Sequence, residues 1–315
     1  MAGTMPAAEL STAAEPEPMP SRAPTSSRTR IAEAVIKDED GLTLESRKWN
    51  GAIKLVRCAN VRIVDCEAFG AAYSGLWLED CPGAQVIGGE NHHNGGHGIH
   101  LGGDCGGVVV DGAILRDNLE DGVQMANSAG NRAVFHDCWF IRNSENGFDG
   151  KNGKATFVDC MFKLNGTGLG TGGGREQVIV HQGDRDAASY FEDLVMIRCS
   201  LLTPAYVSRS SCIRVDGPRC TARLVACLLD ARHGNNQCIR STDGAEYTAV
   251  GSRFLGDLDN PDKELVRSTE GATGVIDACK LVKTVSDRKW FQVEGRYYDR
   301  AFELSVDHLT VRNCT

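Results

Sequence analysis

The sequence predicts an all-β solenoid of parallel strands, on three observations: one motif that repeats, and two columns of residues that keep step with it. The motif is glycine, apolar, polar, apolar. It reads Gly75-Leu76-Trp77-Leu78, Gly98-Ile99-His100-Leu101, Gly122-Val123-Gln124-Met125, Gly147-Phe148-Asp149-Gly150 and Gly168-Leu169-Gly170-Thr171, in steps of 23, 24, 25 and 21 residues. A fixed period of this length marks coils that cannot bury their apolar face alone and must stack. The first column ends short alternating β-branched runs: Cys66, Gly89, Gly112, Cys138, Cys160, Cys199, Cys227, Ser252, Cys279 and Cys314. Runs such as Val61–Cys66, Ala133–Cys138 and Ala155–Cys160 read as strands that close on a tight interior corner. The second column is Asn94, Asn118, Asn143 and Asn165. Stacked asparagines can hydrogen-bond from coil to coil and tolerate the left-handed conformation.

Taken in order, residues 1–30 hold five of the nine prolines among Ala, Ser, Thr and Glu, and predict a disordered tail. Residues 31–50 are expected to cap the open end of the solenoid. Residues 51–315 then form about ten coils. Two steps are long. Between Cys160 and Cys199 the excess predicts a loop insertion near 172–193, introduced by Gly172-Gly173-Gly174-Arg175. Between Cys279 and Cys314 it carries Trp290, Phe291, Tyr297 and Tyr298, which predict a cap on the last coil. The chain ends on an apparent strand, an edge that a partner or further chain would cover.

Composition removes several classes. A net charge of −8 argues against an electrostatic nucleic-acid binder. No stretch is long and apolar enough to span a membrane, and residues 1–30 lack the apolar core of a signal peptide. The thirteen cysteines are not paired as CxxC, and most fall in the stacked column, where free thiols act as small buried hydrophobes. Reduced cysteines leave the compartment undefined, with a cytoplasmic or non-classically exported protein as the expectation. Glycine and β-branched residues in every coil exclude helical repeats, and the leucine consensus of leucine-rich repeats is missing. Gly166–Gly174 lacks the Gly-Lys-Ser/Thr of a phosphate-binding loop.

Short parallel strands at this period, with an asparagine ladder, resemble the right-handed parallel β-helix of the pectate-lyase-like superfamily over about residues 50–315. The resemblance implies a fold that hosts polysaccharide lyases, epimerases and hydrolases; it does not choose among them.

Strand alternation turns the polar residue of each motif outward. The outward column is then Trp77, His100, Gln124, Asp149, Gly170, Arg214, Arg240 and Arg267, and the next is Glu79, Gly102, Ala126, Lys151, Gly172, Asp216, Thr242 and Thr269. The glycine that opens each motif, two residues before the outward polar residue, is expected to leave a shallow trough for a chain-like ligand. Three stacked arginines suit carboxylates or phosphates. Asp149 and Lys151 point the same way, and Asp121 and Glu145 start nearby strands. Converging carboxylates can hold Ca²⁺. A lysine beside a cation can serve as a base, and His100 competes for that role. Asn91-His92-His93-Asn94 could also bind a metal, but it lies at a turn and includes the ladder.

Asn146-Gly147-Phe148-Asp149-Gly150-Lys151 resembles coils of calcium-dependent β-helix pectate lyases. That resemblance implies Asp121 and Asp149 at ligand positions, and a lysine near the motif, Lys151, in the place of the base. Gly96-His97-Gly98-Ile99-His100-Leu101-Gly102 is similar to the Gly-His-Gly motif of polygalacturonases, whose upstream aspartate motifs are missing here; the Asp-Pro-His-Asp signature of alginate epimerases is absent.

The expected function is β-elimination or epimerisation of a uronate-containing polysaccharide. Lys151, His100 and Asp149 would be catalytic, with Trp77, Gln124, Arg214, Arg240 and Arg267 binding substrate and Ca²⁺ held by Asp121, Glu145 and Asp149. The alternative is a non-catalytic carbohydrate-binding or structural protein, such as a phage or surface spike. An enzyme is expected as a monomer, a spike as a homotrimer.

Overall fold

The computed structural model describes residues 29–31, 36–37, 43–44 and 51–315, apart from the short segments 127–129, 169–175, 183–190, 204–209, 233–235, 257–263, 284–289, 295, 299–303 and 307. Among them every regular element is a β-strand. Each turn of chain adds one strand to each of three sheets of 11, 11 and 10 strands, and strands of successive turns pair in parallel. The protein is therefore a parallel β-helix. The site sheet starts at Gly51–Val56, Ser74–Glu79 and Ile99–Gly102 and continues to Gln237–Thr242 and Val266–Ser268. Its regular part is somewhat shorter than ten coils, because the ends are built differently. Thr29–Ile31, expected in the tail, pairs in parallel with Cys66–Phe69. Residues 1–28 lie outside the described residues, as does most of 31–50. At the other end, Phe291–Val293 and Leu309–Arg312 each take an antiparallel neighbour, Arg296–Tyr298 and Leu304–Val306. Trp290 and Phe291 are buried there, Phe291 in a strand that pairs in parallel with Val266–Ser268.

The core follows from alternation. In Ser74–Glu79, Leu76 and Leu78 are buried while Trp77 and Glu79 face out. In-register neighbours stack: Phe135 on Phe157 at 4.6 Å and Phe140 on Phe162 at 4.3 Å, both nearly coplanar. All thirteen cysteines are free, and eleven are buried. Those of the interior corner fit because each thiol donates to backbone: Cys138 Sγ to the His136 and Val110 carbonyls at 3.2 and 3.3 Å, Cys227 Sγ to Val225 and Met196 at 3.4 Å each.

The asparagine column forms a continuous ladder. Nδ2 of Asn94, Asn118 and Asn143 each donates to Oδ1 of the asparagine in the next coil at 2.9 Å. The same side chains close the corner, since Nδ2 of Asn143 and Asn165 also donates to the Leu115 and Phe140 carbonyls. The next rung is Gln177, whose Oε1 accepts from Asn165 Nδ2 at 2.9 Å.

That rung corrects the register. Gly168-Leu169-Gly170-Thr171 does not supply the sixth strand; Val178–His181 does, paired with Phe148–Gly150 on one side and Ser211–Asp216 on the other. The 172–193 interval therefore contains a regular strand, while Gly170 and Gly172 lie outside the described residues. The trough is corrected too. A Cβ on Gly122 would meet the Gly147 carbonyl at 2.6 Å and Asn143 Nδ2 at 2.9 Å, and Gly98 and Gly147 are equally close to the next coil. These glycines admit the ladder and the next coil's backbone, so they leave no open channel.

Candidate functional site

The corrected outward column runs Lys54, Trp77, His100, Gln124, Asp149, Ile179, Arg214, Arg240, Arg267 and Gln292, each in register with the next. The flanking column brings Lys151, His181, Asp216 and Thr242 alongside. Its character changes along the axis, and the predicted residues separate into three groups.

The first group surrounds Trp77. Its ring is stacked on His100 at 3.9 Å, and Lys54 Nζ lies 5.4 Å over the ring. Both neighbours flank it along the stack, and Nε1 donates to Glu79 at 2.9 Å. A sugar would meet the edge of this indole, not a ring face. His100 is only 3% exposed, and neither ring nitrogen has a hydrogen-bond partner. Burial, with the His97, Lys151 and Lys54 charges, pushes it down to about 3. It is thus neutral and shielded, which disfavours it as the base. Beside it lies a cluster whose members are far apart along the chain. His97 is fully buried, with Nδ1 3.1 Å from Asp121 Oδ2 and Nε2 3.1 Å from Glu120 Oε2. The Tyr73 hydroxyl is also 3.1 Å from Nε2. Burial disfavours the imidazolium, but the Asp121 and Glu120 carboxylates outweigh it and raise the His97 pKa.

The second group centres on Asp149. Its Oδ1 lies 2.9 Å from His181 Nε2, and its Oδ2 lies 3.6 Å from Lys151 Nζ and accepts a long bond from Gln124 Nε2 at 3.5 Å. Burial alone would raise this carboxyl; the hydrogen bond and charge of His181, with Lys151 and His97, hold it below the usual carboxylate range. His181 was missed because the register passed through Gly170. The available signal was Gln177, whose amide can extend the asparagine ladder.

Of the expected Ca²⁺ ligands, Asp121 and Asp149 are engaged by protein partners. Asp121 Oδ1 accepts from Asn146 N and Nδ2 at 3.0 and 2.8 Å, and its Oδ2 faces His97. Both oxygens of Asp149 already meet protein partners, and among the described residues no three His, Cys, Asp or Glu side chains gather as a metal-binding group. At the second metal candidate, His92 is stacked on Phe69, faces Glu67, and has Arg116 in register beside it.

The third group is the arginine row. Arg214, Arg240 and Arg267 are consecutive in register. Nε of all three is buried without a hydrogen-bond partner among the described residues. Arg214 donates to Asp216 Oδ2 at 2.6 Å, and Thr242 Oγ1 donates to Asp216 Oδ1 at 2.6 Å. Burial opposes ionisation of Asp216, but Thr242 and Arg214 hold its pKa down. Burial chiefly, then the charges of Arg214 and Arg267, lower the Arg240 pKa, against the opposing carboxylates of Glu176 and Asp216.

Against known proteins, the family described as right handed beta helix region matches residues 38–184. No curated protein and no solved structure matches the chain.

Proposed function

From a chain that is a right-handed parallel β-helix extending well beyond the matched segment, we propose that the site sheet binds an acidic polysaccharide. We propose further that it acts on the uronate residues by β-elimination or epimerisation. The observation that carries this reading is the arginine row. Three half-buried guanidinium groups at strand spacing, about 4.8 Å, leave their Nε donors unpaired. Like charges held this close need counter-charge. Asp216 serves Arg214 and, with Glu176, offsets part of the Arg240 charge; an anionic polymer along the axis would supply the remainder. Guanidinium groups match carboxylates through paired N–H donors. Next to the row, Asp149, Lys151 and His181 offer proton-handling groups, and Arg214 lies where it could stabilise the enolate charge formed when a proton leaves the carbon beside the carboxylate.

A non-catalytic carbohydrate-binding or structural solenoid is the second reading. It is favoured by the closed Trp77–His100 end, where ring faces are taken by the protein's own side chains.

A panel of pectate, alginate, hyaluronan and bacterial capsules, each with Ca²⁺ or chelator, tests both. Elimination appears as ultraviolet absorbance of unsaturated uronate, epimerisation as a change in the sugar's NMR spectrum. Arg240→Gln should weaken polymer binding about 10–100-fold, the range for losing a charged hydrogen bond, and the effect should shrink in high salt. Binding without chemical change supports the structural reading; no binding to any acidic polymer removes the proposal. Light scattering then distinguishes the monomer expected of the enzyme from the trimer expected of a spike.

A further inference from the structure

We infer that His181 is the base that removes the uronate proton, with Asp149 as the residue that orients it. The inference rests on the acidic-polysaccharide reading and deepens it. Among the described residues, Lys151 Nζ and His100 are the other candidate bases on this stretch of the face. Lys151 lies against Asp149, a pairing that favours the ammonium form, which cannot accept a proton. His100 is buried against Trp77 with 3% exposure. His181 combines what a base needs. It ends the strand Val178–His181 on the outward side, and its side chain is 21% exposed. Nε2 faces Asp149 Oδ1 at 2.9 Å. With Nε2–H donating to that carboxylate, Nδ1 carries the lone pair, and the carboxylate stabilises the imidazolium formed on proton transfer. Among the described residues, three further charged groups lie beside it in the sheet. Asp216 is in register with His181 on the following coil, Arg214 pairs with Asp216, and Lys151 follows Gly150, the partner of Val180, on the preceding coil.

Ile179 makes this geometry specific. It occupies the outward position between Asp149 and Arg214 and is 7% exposed. An apolar side chain there keeps the carboxylate from pairing with the arginine. Asp149 is thereby left to His181, and Arg214 to Asp216 and an incoming carboxylate.

The step balances as follows. His181 Nδ1 takes the proton from C5 of a uronate whose carboxylate rests against Arg214. The C5–H electron pair moves into the carboxylate as an enolate. In elimination the pair returns to form the C4–C5 double bond as the C4–O4 bond breaks, and O4 leaves with a proton from water or the Lys151 ammonium. In epimerisation C5 is reprotonated from the opposite face.

The test reads proton removal on the polymer that binds best in the panel, as C5-hydrogen exchange in D₂O by NMR where C5 is reprotonated and as unsaturated uronate where elimination follows. His181→Gln should lower exchange by at least about 100-fold, the lower range for loss of a general base, with polymer affinity unchanged. Asp149→Asn should move the acidic limb of the pH–rate profile to lower pH, because the neutral amide supports the imidazolium less. A merely structural role would not shift that limb. His136→Gln, on the outer face of another sheet, serves as the unchanged control. Exchange that survives in His181→Gln overturns the inference while leaving the function standing, as does an unshifted profile in a folded Asp149→Asn. Polymer bound with neither exchange nor unsaturated product in the wild type overturns it too. Failure of every polymer to bind removes the parent reading instead, and the base with it.

Discussion

At the scale of single residues, His97 and Asp149 set opposite edges of a stability profile. His97 is enclosed by Asp121, Glu120 and Tyr73, and its pKa is raised. A raised folded-state value means the stabilisation is complete below the ordinary histidine range, about 6.5. It is lost as pH rises through the raised value, when deprotonation leaves buried carboxylates without their cation. Asp149 behaves in the reverse sense. Its lowered pKa gives stability that is present above the ordinary carboxylate range and lost as pH falls through the depressed value. Denaturation midpoints across pH should therefore fall at both ends. His97→Gln should cost about 3–5 kcal/mol, the range for breaking a buried pair, and should flatten the alkaline side only. A variant that flattens neither side would show that His97 carries no charge in the folded protein.

At the scale of the element, the asparagine ladder decides which coils are regular. Asn143 is an interior rung: it donates to Asn165 Oδ1 and the Leu115 carbonyl, and its Oδ1 accepts from Asn118 N and Nδ2. Replacement by Ala strands several buried groups, at about 1–3 kcal/mol for each left unsatisfied. Urea unfolding should show Asn143→Ala costing more than Asn165→Gln, which keeps the amide. Equal costs would mean that the ladder is decorative. The ladder also shows what could be read from the sequence. Its four asparagines, the thiol corner and the apolar alternation were legible because each recurs at one position per coil. The sixth strand was not, because its rung is a glutamine and its spacing is stretched. With that strand went His181. The His97 cluster was hidden for another reason: Tyr73, His97, Glu120 and Asp121 come from three coils, and neighbours across coils follow from register rather than from sequence distance. Tyr73 reaches His97 across Gly96, where a Cβ would lie 2.6 Å from the tyrosine ring.

At the scale of the molecule, a solenoid is stabilised by contacts between adjacent coils, so damage spreads from where it is made. The buried thiols report that spread. Cys58 and Cys66 are half-buried, and the other eleven cysteines are buried along the whole axis. In the native protein a thiol reagent should modify these two first, while denaturant should release all thirteen. Trp290 covers the last regular coil, with Leu265 N donating to its carbonyl and its own amide donating to Tyr298. Trp290→Ala removes a large buried side chain at one end, a change worth about 3–5 kcal/mol in a core. If coils open in sequence from that end, Cys279 and Cys314 should become reactive well before Cys138 and Cys160, whose neighbours include the stacked phenylalanines. Mass spectrometry of labelled peptides against time gives that order directly. Simultaneous labelling at both ends would mean that the coils unfold as one unit. The end cap would then contribute to global stability without protecting its own neighbours in particular.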